Sequence, residues 1–133
     1  MIQKIITIIF LACLSLFKAQ AQYQKVFPYD AEQKDWAKVK TISGTFGFID
    51  VNKKVIVDPI YNSIGKFDEI GKDLVLVENI AGGKGLINRQ GKLVVKDIYF
   101  GIEKYDLRHS GWALVKNIND LYGFIVEIGR AHV

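Results

Sequence analysis

His109-Ser110, Asp68-Glu69 and the oxygen-bearing set Asp50, Asn52, Asp58 and Asp68 are the side chains here whose chemistry suits catalysis or metal binding. A hydrolase relay needs a nucleophile posed against a histidine that a third group orients. Ser110 follows His109 directly, too close in sequence to face it, and Leu107-Arg108-His109-Ser110-Gly111 reads as a polar, solvated loop. Glycoside hydrolysis uses two carboxyl groups roughly 5 to 9 Å apart across a sugar. Adjacent Asp68 and Glu69 point apart on an extended link, and the return of the aspartate as Asp106 indicates a cap or turn. Zinc needs three or four convergent ligands, which nothing here supplies. Calcium accepts oxygen ligands of the kinds present, but no D-x-D-x-D-G loop holds them, so turn chemistry is expected of these residues. The sequence therefore predicts no catalytic residue, no metal site and no cofactor.

The aromatic residues carry the better functional lead. Trp36 and Trp112 open equivalent segments, and Tyr61 and Tyr99 follow equivalent turns. Exposed rings in a row form a platform for sugar rings or for a partner protein. The same rings also serve as the cement between stacked units, and that structural role is the expected one.

What must position these residues is a repeat. Trp36, Leu74 and Trp112 lie 38 residues apart, as do Phe46, Lys84 and Tyr122. Phe46-Gly47-Phe48-Ile49-Asp50 returns as Lys84-Gly85-Leu86-Ile87-Asn88 and as Tyr122-Gly123-Phe124-Ile125. Tyr61 is answered by Tyr99 and Phe67 by Tyr105, while Tyr29-Asp30 extends the register backwards to an earlier half-unit. A fixed period of this size marks stacked supersecondary units. The expected division is a half-unit at 22–35, units at 36–73 and 74–111, and a partial unit at 112–126.

Each unit opens with period-two alternation, Trp36-Ala37-Lys38-Val39-Lys40 or Trp112-Ala113-Leu114-Val115-Lys116, which indicates a half-buried strand. A short polar or glycine-bearing connection leads to a second strand, in which Phe46 and Phe48 face one way and Gly47 and Ile49 the other. Glycine weakens a strand unless something approaches too closely for a side chain. Gly47, Gly85 and Gly123 are expected to be such contact points. Gly91 suits the positive-φ place of the next turn, and Lys53 suits it less well. The third strand is Val55-Ile56-Val57 or Leu93-Val94-Val95, with Pro59 expected to end pairing in the first unit. Phe67 and Tyr105 then belong to a compact link that packs under the next unit. No amphipathic helix is expected; the polarity of 25–40 allows at most one helical turn around Ala31 to Lys34. The predicted fold is all-β, an open, solenoid-like array of three-stranded antiparallel units, with part of a β-propeller as the alternative.

The residues just described resemble the WG repeats of many bacterial proteins. Phe46-Gly47-Phe48-Ile49-Asp50, Ile56-Val57-Asp58-Pro59-Ile60-Tyr61-Asn62, Phe67-Asp68-Glu69 and Trp112-Ala113-Leu114-Val115-Lys116 carry the likeness. Phe46, Lys84 and Tyr122 stand where the name-giving tryptophan belongs, and Asp97 replaces proline, which makes the middle unit look degenerate. The resemblance implies a β-strand repeat scaffold, often exported, with no common catalytic activity and a role in protein or surface interaction.

The two ends read differently. Met1 to Ala21 has a basic start at Lys4, an apolar run from Ile5 to Phe17 and the ending Ala19-Gln20-Ala21, which predicts a secretory signal peptide cleaved before Gln22. The run is short against the roughly 20 residues that span a bilayer, so no stable membrane span is expected after cleavage. Cys13, the single cysteine, falls in this segment, and the mature chain is expected to lack thiol chemistry. Ile128-Gly129-Arg130-Ala131-His132-Val133 resembles the translation of a short-read sequencing adapter, which predicts a non-native tail over 127–133 and a fragment of a longer reading frame. The +4 formal charge includes Lys4, Lys18 and Arg130; the remainder is nearly balanced, with Lys and Asp interspersed. No basic stripe tracks a phosphate backbone, so nucleic acid is not an expected partner.

These features predict an exported protein, periplasmic, at the cell surface or secreted. Its expected role is non-enzymatic binding or scaffolding for a protein or cell-surface partner. The alternatives are carbohydrate binding through an aromatic ladder, with Trp36, Trp112, Tyr61 and Tyr99 as its rings, or service as the accessory region of a larger enzyme.

Overall fold

The computed structural model describes residues 23–127, in which every regular element is a β-strand. In chain order these are β1 (Tyr23–Val26), β2 (Trp36–Thr41), β3 (Phe46–Asp50), β4 (Val55–Ile64), β5 (Leu74–Asn79), β6 (Lys84–Asn88), β7 (Leu93–Tyr99), β8 (Gly101–Ile102), β9 (Trp112–Lys116) and β10 (Tyr122–Val126). The expected signal peptide at 1–21, with Cys13, and all of the expected tail at 127–133 except Glu127 lie outside the described residues. Residues 31–34, whose polarity allows at most one helical turn, form bends and a turn. Short, polar and β-branched stretches between tight turns leave no run long enough for a helix.

Within each of two sheets, every strand pairs antiparallel with its neighbour in sequence. β1 to β7 form a seven-stranded meander, and β8, β9 and β10 form a three-stranded sheet. The strand order is linear and does not close on itself, so the array is open. β7 and β8 together answer the single ten-residue strand β4, with the interruption at Phe100. The third strand thus belongs to two units at once. Its first half pairs back to β3 through Phe48↔Val57, and its second half pairs forward to β5 through Ile64↔Val77.

This corrects the expectation that Pro59 ends pairing. β4 runs through Pro59 by means of a bulge: Phe46 pairs with Tyr61 and Phe48 with Val57, so Asp58, Pro59 and Ile60 oppose Gly47 alone. Proline, which has no N–H to donate, is tolerated at such a place. The second unit makes the same bulge without proline, pairing Lys84 with Tyr99 and Leu86 with Val95. Thr45 Oγ1 donates to the Pro59 carbonyl at 2.6 Å, and Asn79 Nδ2 donates to the Asp97 carbonyl at 2.9 Å, so each bulge is anchored from the preceding turn.

The turns recur atom by atom. Asp50 Oδ1 accepts from the amides of Asn52 and Lys54, and Asn88 Oδ1 from those of Gln90 and Lys92. Asp68 and Asp106 accept from the amides of Asp73 and Gly111 in the links between units. Short polar side chains that bond their own backbone are the usual makers of such turns. One carboxylate oxygen of each of Asp50 and Asp68, the residues considered above for calcium, therefore holds backbone amides, and the other oxygen of Asp68 binds Arg89.

Burial follows the alternation of the strands. One core joins Trp36, Phe48, Val57, Tyr61 and Ile64 of the first unit to Val75, Val77 and Ile87 of the second. The next core repeats that arrangement one period on, with Leu86 and Val95 against Ala113 and the half-buried Tyr99, Ile102 and Ile125 around them. Each unit thus offers a large-residue face to the small-residue face of its successor. Phe67 packs against the first of these cores, and Tyr105 is buried in the second beside Ile70. Both behave as the expected link residues.

Candidate functional site

The terminal hairpin breaks the pattern of burial. In β9 and β10, Trp112 pairs with Val126, Leu114 with Phe124 and Lys116 with Tyr122. These side chains share one face, because strand residues alternate between the two sides of a sheet. The opposite face carries Ala113 and Ile125 into the second core. In the first unit the equivalent large-residue face is closed by Val75, Val77 and Ile87, and Trp36 and Phe48 are 8% and 1% exposed. No such cover exists among the described residues for the last hairpin, where Trp112 is 37% and Phe124 49% exposed.

The open face has an ordered centre. The Trp112 ring lies 5.5 Å from that of Phe124 and 4.8 Å from that of His109, centroid to centroid. His109 Nδ1 sits 3.1 Å from the Ser110 carbonyl oxygen, which makes that nitrogen the proton-bearing one if the two are bonded. Toward the hairpin tip, Tyr122 projects beside an ion pair between Lys116 Nζ and Asp120 Oδ1 at 3.1 Å. The hydrogen bond and charge of Asp120 hold the Lys116 ammonium above its ordinary pKa. A shallow cleft of about 240 Å³ lies between Ile102, Leu114, Lys116 and Tyr122. Nearby, Arg108 donates to both oxygens of Glu103 at 2.8 and 3.0 Å and keeps that carboxyl below the usual carboxylate range. Apolar rings rimmed by paired charges suit an interface.

The four rings proposed from sequence are not brought together. Trp36 is buried against Phe48 at 5.2 Å and edge-on to Phe67 at 6.0 Å. Tyr61 is buried in the same core, where desolvation and then the charges of Asp97 and Asp58 raise its phenol pKa. Tyr99 is half-buried against the second core, and only Trp112 lies open. The structural role holds for Trp36, Tyr61 and Tyr99, because stacking between the described units buries these rings wholly or in part. Phe124 and Tyr122 are exposed residues that the sequence expectations do not include. The repeat register carries that signal, since both occupy large-face positions of the last described unit.

Gly47 and Gly85 are the close-contact points expected of them. A Cβ on Gly47 would lie 2.7 Å from Pro59 Cα, and one on Gly85 2.8 Å from the Asp97 nitrogen. Gly123 differs: a Cβ there meets nothing within 4 Å among the described residues, because no bulged strand lies beside it.

Residues 46–79 match the family model of the WG containing repeat. The chain carries a WG repeat. The matched span begins with Phe46 and Gly47 in β3, takes in the whole bulged strand β4 and ends with β5, so the WG repeat is the bent strand together with its two neighbours. That explains the glycine of the repeat physically: the bulge of the bent strand occupies the space of its side chain. The WG-like hairpin β9–β10 presents the same strands without a described third one. Neither the curated proteins nor the solved structures compared with the chain give a match.

Proposed function

We propose that this chain is an exported, non-enzymatic WG-repeat module that binds or scaffolds a protein or cell-surface partner. The observation that carries this reading is the contrast between equivalent positions: Trp36 and Phe48 are sealed between units, whereas among the described residues nothing covers Trp112 and Phe124 on their hairpin. An aromatic face of this kind, backed by a rigid sheet, is a ready anchor for a partner. The signal-like segment at 1–21 supports export. The engagement of Asp50, Asp68 and Asp106 with backbone amides supports a scaffold role for the acidic residues.

A glycan is the second reading, favoured by the accessible Trp112 ring flanked by His109 and Phe124. Binding of the purified chain to cell-envelope material separates the two. Retention lost after protease treatment supports a protein partner, and retention lost only after periodate oxidation supports a glycan. Retention unchanged by a Trp112→Ser, Phe124→Ser double substitution, or no retention at all, overturns the proposed face.

A further inference from the structure

Isoleucine recurs at the turn tips of one end of the array. Ile42, Ile80 and Ile118 lie 38 residues apart, each just after the residue that starts the turn between the first two strands of its unit. The turns close alike: the amides of Gly44, Gly82 and Asp120 donate to the carbonyls of Thr41, Asn79 and Asn117 at 3.0, 3.0 and 3.1 Å. Nothing in such a turn calls for isoleucine, because glycine, proline, asparagine, aspartate and serine make turns and β-branched residues favour strands. Yet all three isoleucines are at least 70% exposed.

Ile60 and Ile98, also one period apart and more than half exposed, come to the same end. Tyr61 pairs with Phe46, just after the first tip, and with Asn79, just before the second, which sets Ile60 between those tips. Tyr99 pairs with Lys84, and the Phe100 amide donates to the Lys116 carbonyl, which sets Ile98 between the second tip and the third. The row therefore runs Ile42, Ile60, Ile80, Ile98, Ile118 across the described units. At the opposite end the exposed apolar residues do not repeat: Arg89 stands one period after Val51, and Glu69 one period before Leu107. Repetition sets the isoleucines apart from the single apolar residues that any surface carries.

Five isoleucines at these exposures present roughly 600 Å², as large as the largest patch of an ordinary monomer and close to the roughly 800 Å² that each partner covers in a standard interface. A repeated row also matches itself. Turned about a two-fold axis through Ile80, Ile60 meets Ile98 and Ile42 meets Ile118, in both directions, as an isologous interface requires. We infer that this end of the array is an interface with a second copy of the chain, a dimer closed by the isoleucine row. Two of the lysines beside the row are already paired, Lys84 with Glu78 and Lys116 with Asp120, which leaves little to draw it to an anionic lipid surface. The interface does not rest on the Trp112 and Phe124 face.

Sedimentation equilibrium of the purified chain tests this. A monomer–dimer equilibrium is expected. Ile80→Lys, which sets two ammonium groups together on the axis, should weaken it about a hundredfold or more. Ile42→Ser with Ile118→Ser should weaken it too, and circular dichroism should stay unchanged in every variant because these side chains lie outside the cores. Trp112→Ser with Phe124→Ser should leave the dimer intact. A wild-type chain that stays monomeric from micromolar to millimolar concentration overturns the inference, as does a dimer that Ile80→Lys leaves unchanged or that the Trp112 and Phe124 substitutions dissolve. Isoleucine-dependent flotation of a monomer on phosphatidylcholine vesicles would overturn it in favour of a lipid surface.

Discussion

Pro59 Cα lies 2.7 Å from where a Cβ on Gly47 would stand, so the third strand of the first unit occupies the volume any other residue at 47 needs. The obstruction is backbone, and it recurs at Gly85, where the nitrogen and Cα of Asp97 lie 2.8 and 2.9 Å from the same point. Gly47→Ala and Gly85→Ala should each cost about 3 kcal/mol, because strand separation or bulge loss is the only relief. Gly123→Ala should cost less than about 0.5 kcal/mol. Urea titrations of the three variants check this, and equal midpoints for all three would refute the role given to the bulge.

The two tryptophans should behave as different kinds of residue despite their equivalence in sequence. Trp36 is sealed between Phe48 and Phe67, so Trp36→Ala should destabilise the chain by about 3 to 5 kcal/mol. Trp112→Ala removes a half-exposed ring and should cost about 1 kcal/mol or less. Iodide quenching gives a second check: the fluorescence of Trp112 should be quenched and that of Trp36 protected. Comparable quenching of each, read in single-tryptophan variants, would contradict the burial described.

Lys53 holds a φ of 62°, the place that Gly91 fills in the next unit with a φ of 81°. A lysine pays a steric penalty in that conformation that glycine avoids. Lys53→Gly should therefore raise stability by about 1 kcal/mol. Gly91→Lys should be the more damaging exchange, because a Cβ there also lies 2.6 Å from Ile56 Cγ2 and 2.9 Å from the Ile56 carbonyl oxygen. Thermal melting of the two variants measures the asymmetry, which a lower midpoint for Lys53→Gly would contradict.

Alkaline pH should weaken the second core through Tyr105. Burial, and then the charge of Glu127, push its phenol up to about 12 from an ordinary value of 10.0. The raised folded-state pKa means that the unfolded chain loses this proton first. The stabilising contribution is fully present below about pH 10 and disappears as pH rises toward 12. Melting temperatures of the wild type and Tyr105→Phe, compared from pH 9 to 12, should shift in favour of the variant across that window. A difference independent of pH would show that Tyr105 is not the titrating group.

The period of 38 made much of the architecture legible before any coordinates. Strand starts at Trp36, Leu74 and Trp112, the turn made by Asp50 and Asn88, and the close contact at Gly47 and Gly85 all follow from residue types recurring in register. Pro59 departs from its expectation because local rules treat a missing N–H as the end of pairing. In β4 the residue sits in a bulge, and a bulge is a property of two strands together. Arg89 was equally hidden. Its guanidinium binds Asp68 and Asp73 at 2.7 Å each and lies over the Phe67 ring, contacts that no spacing in the sequence announces.

The sequence by itself determined the strands, their turns and the alternation of large and small faces, because those depend on residues near one another in the chain. Only the tertiary structure decided which aromatics are available. Trp36 and Trp112 are the same residue at the same place in the repeat, yet among the described residues one is buried and the other open. The reason is that burial of a repeat's large face is supplied by the unit that stacks on it, and no residue encodes its own cover.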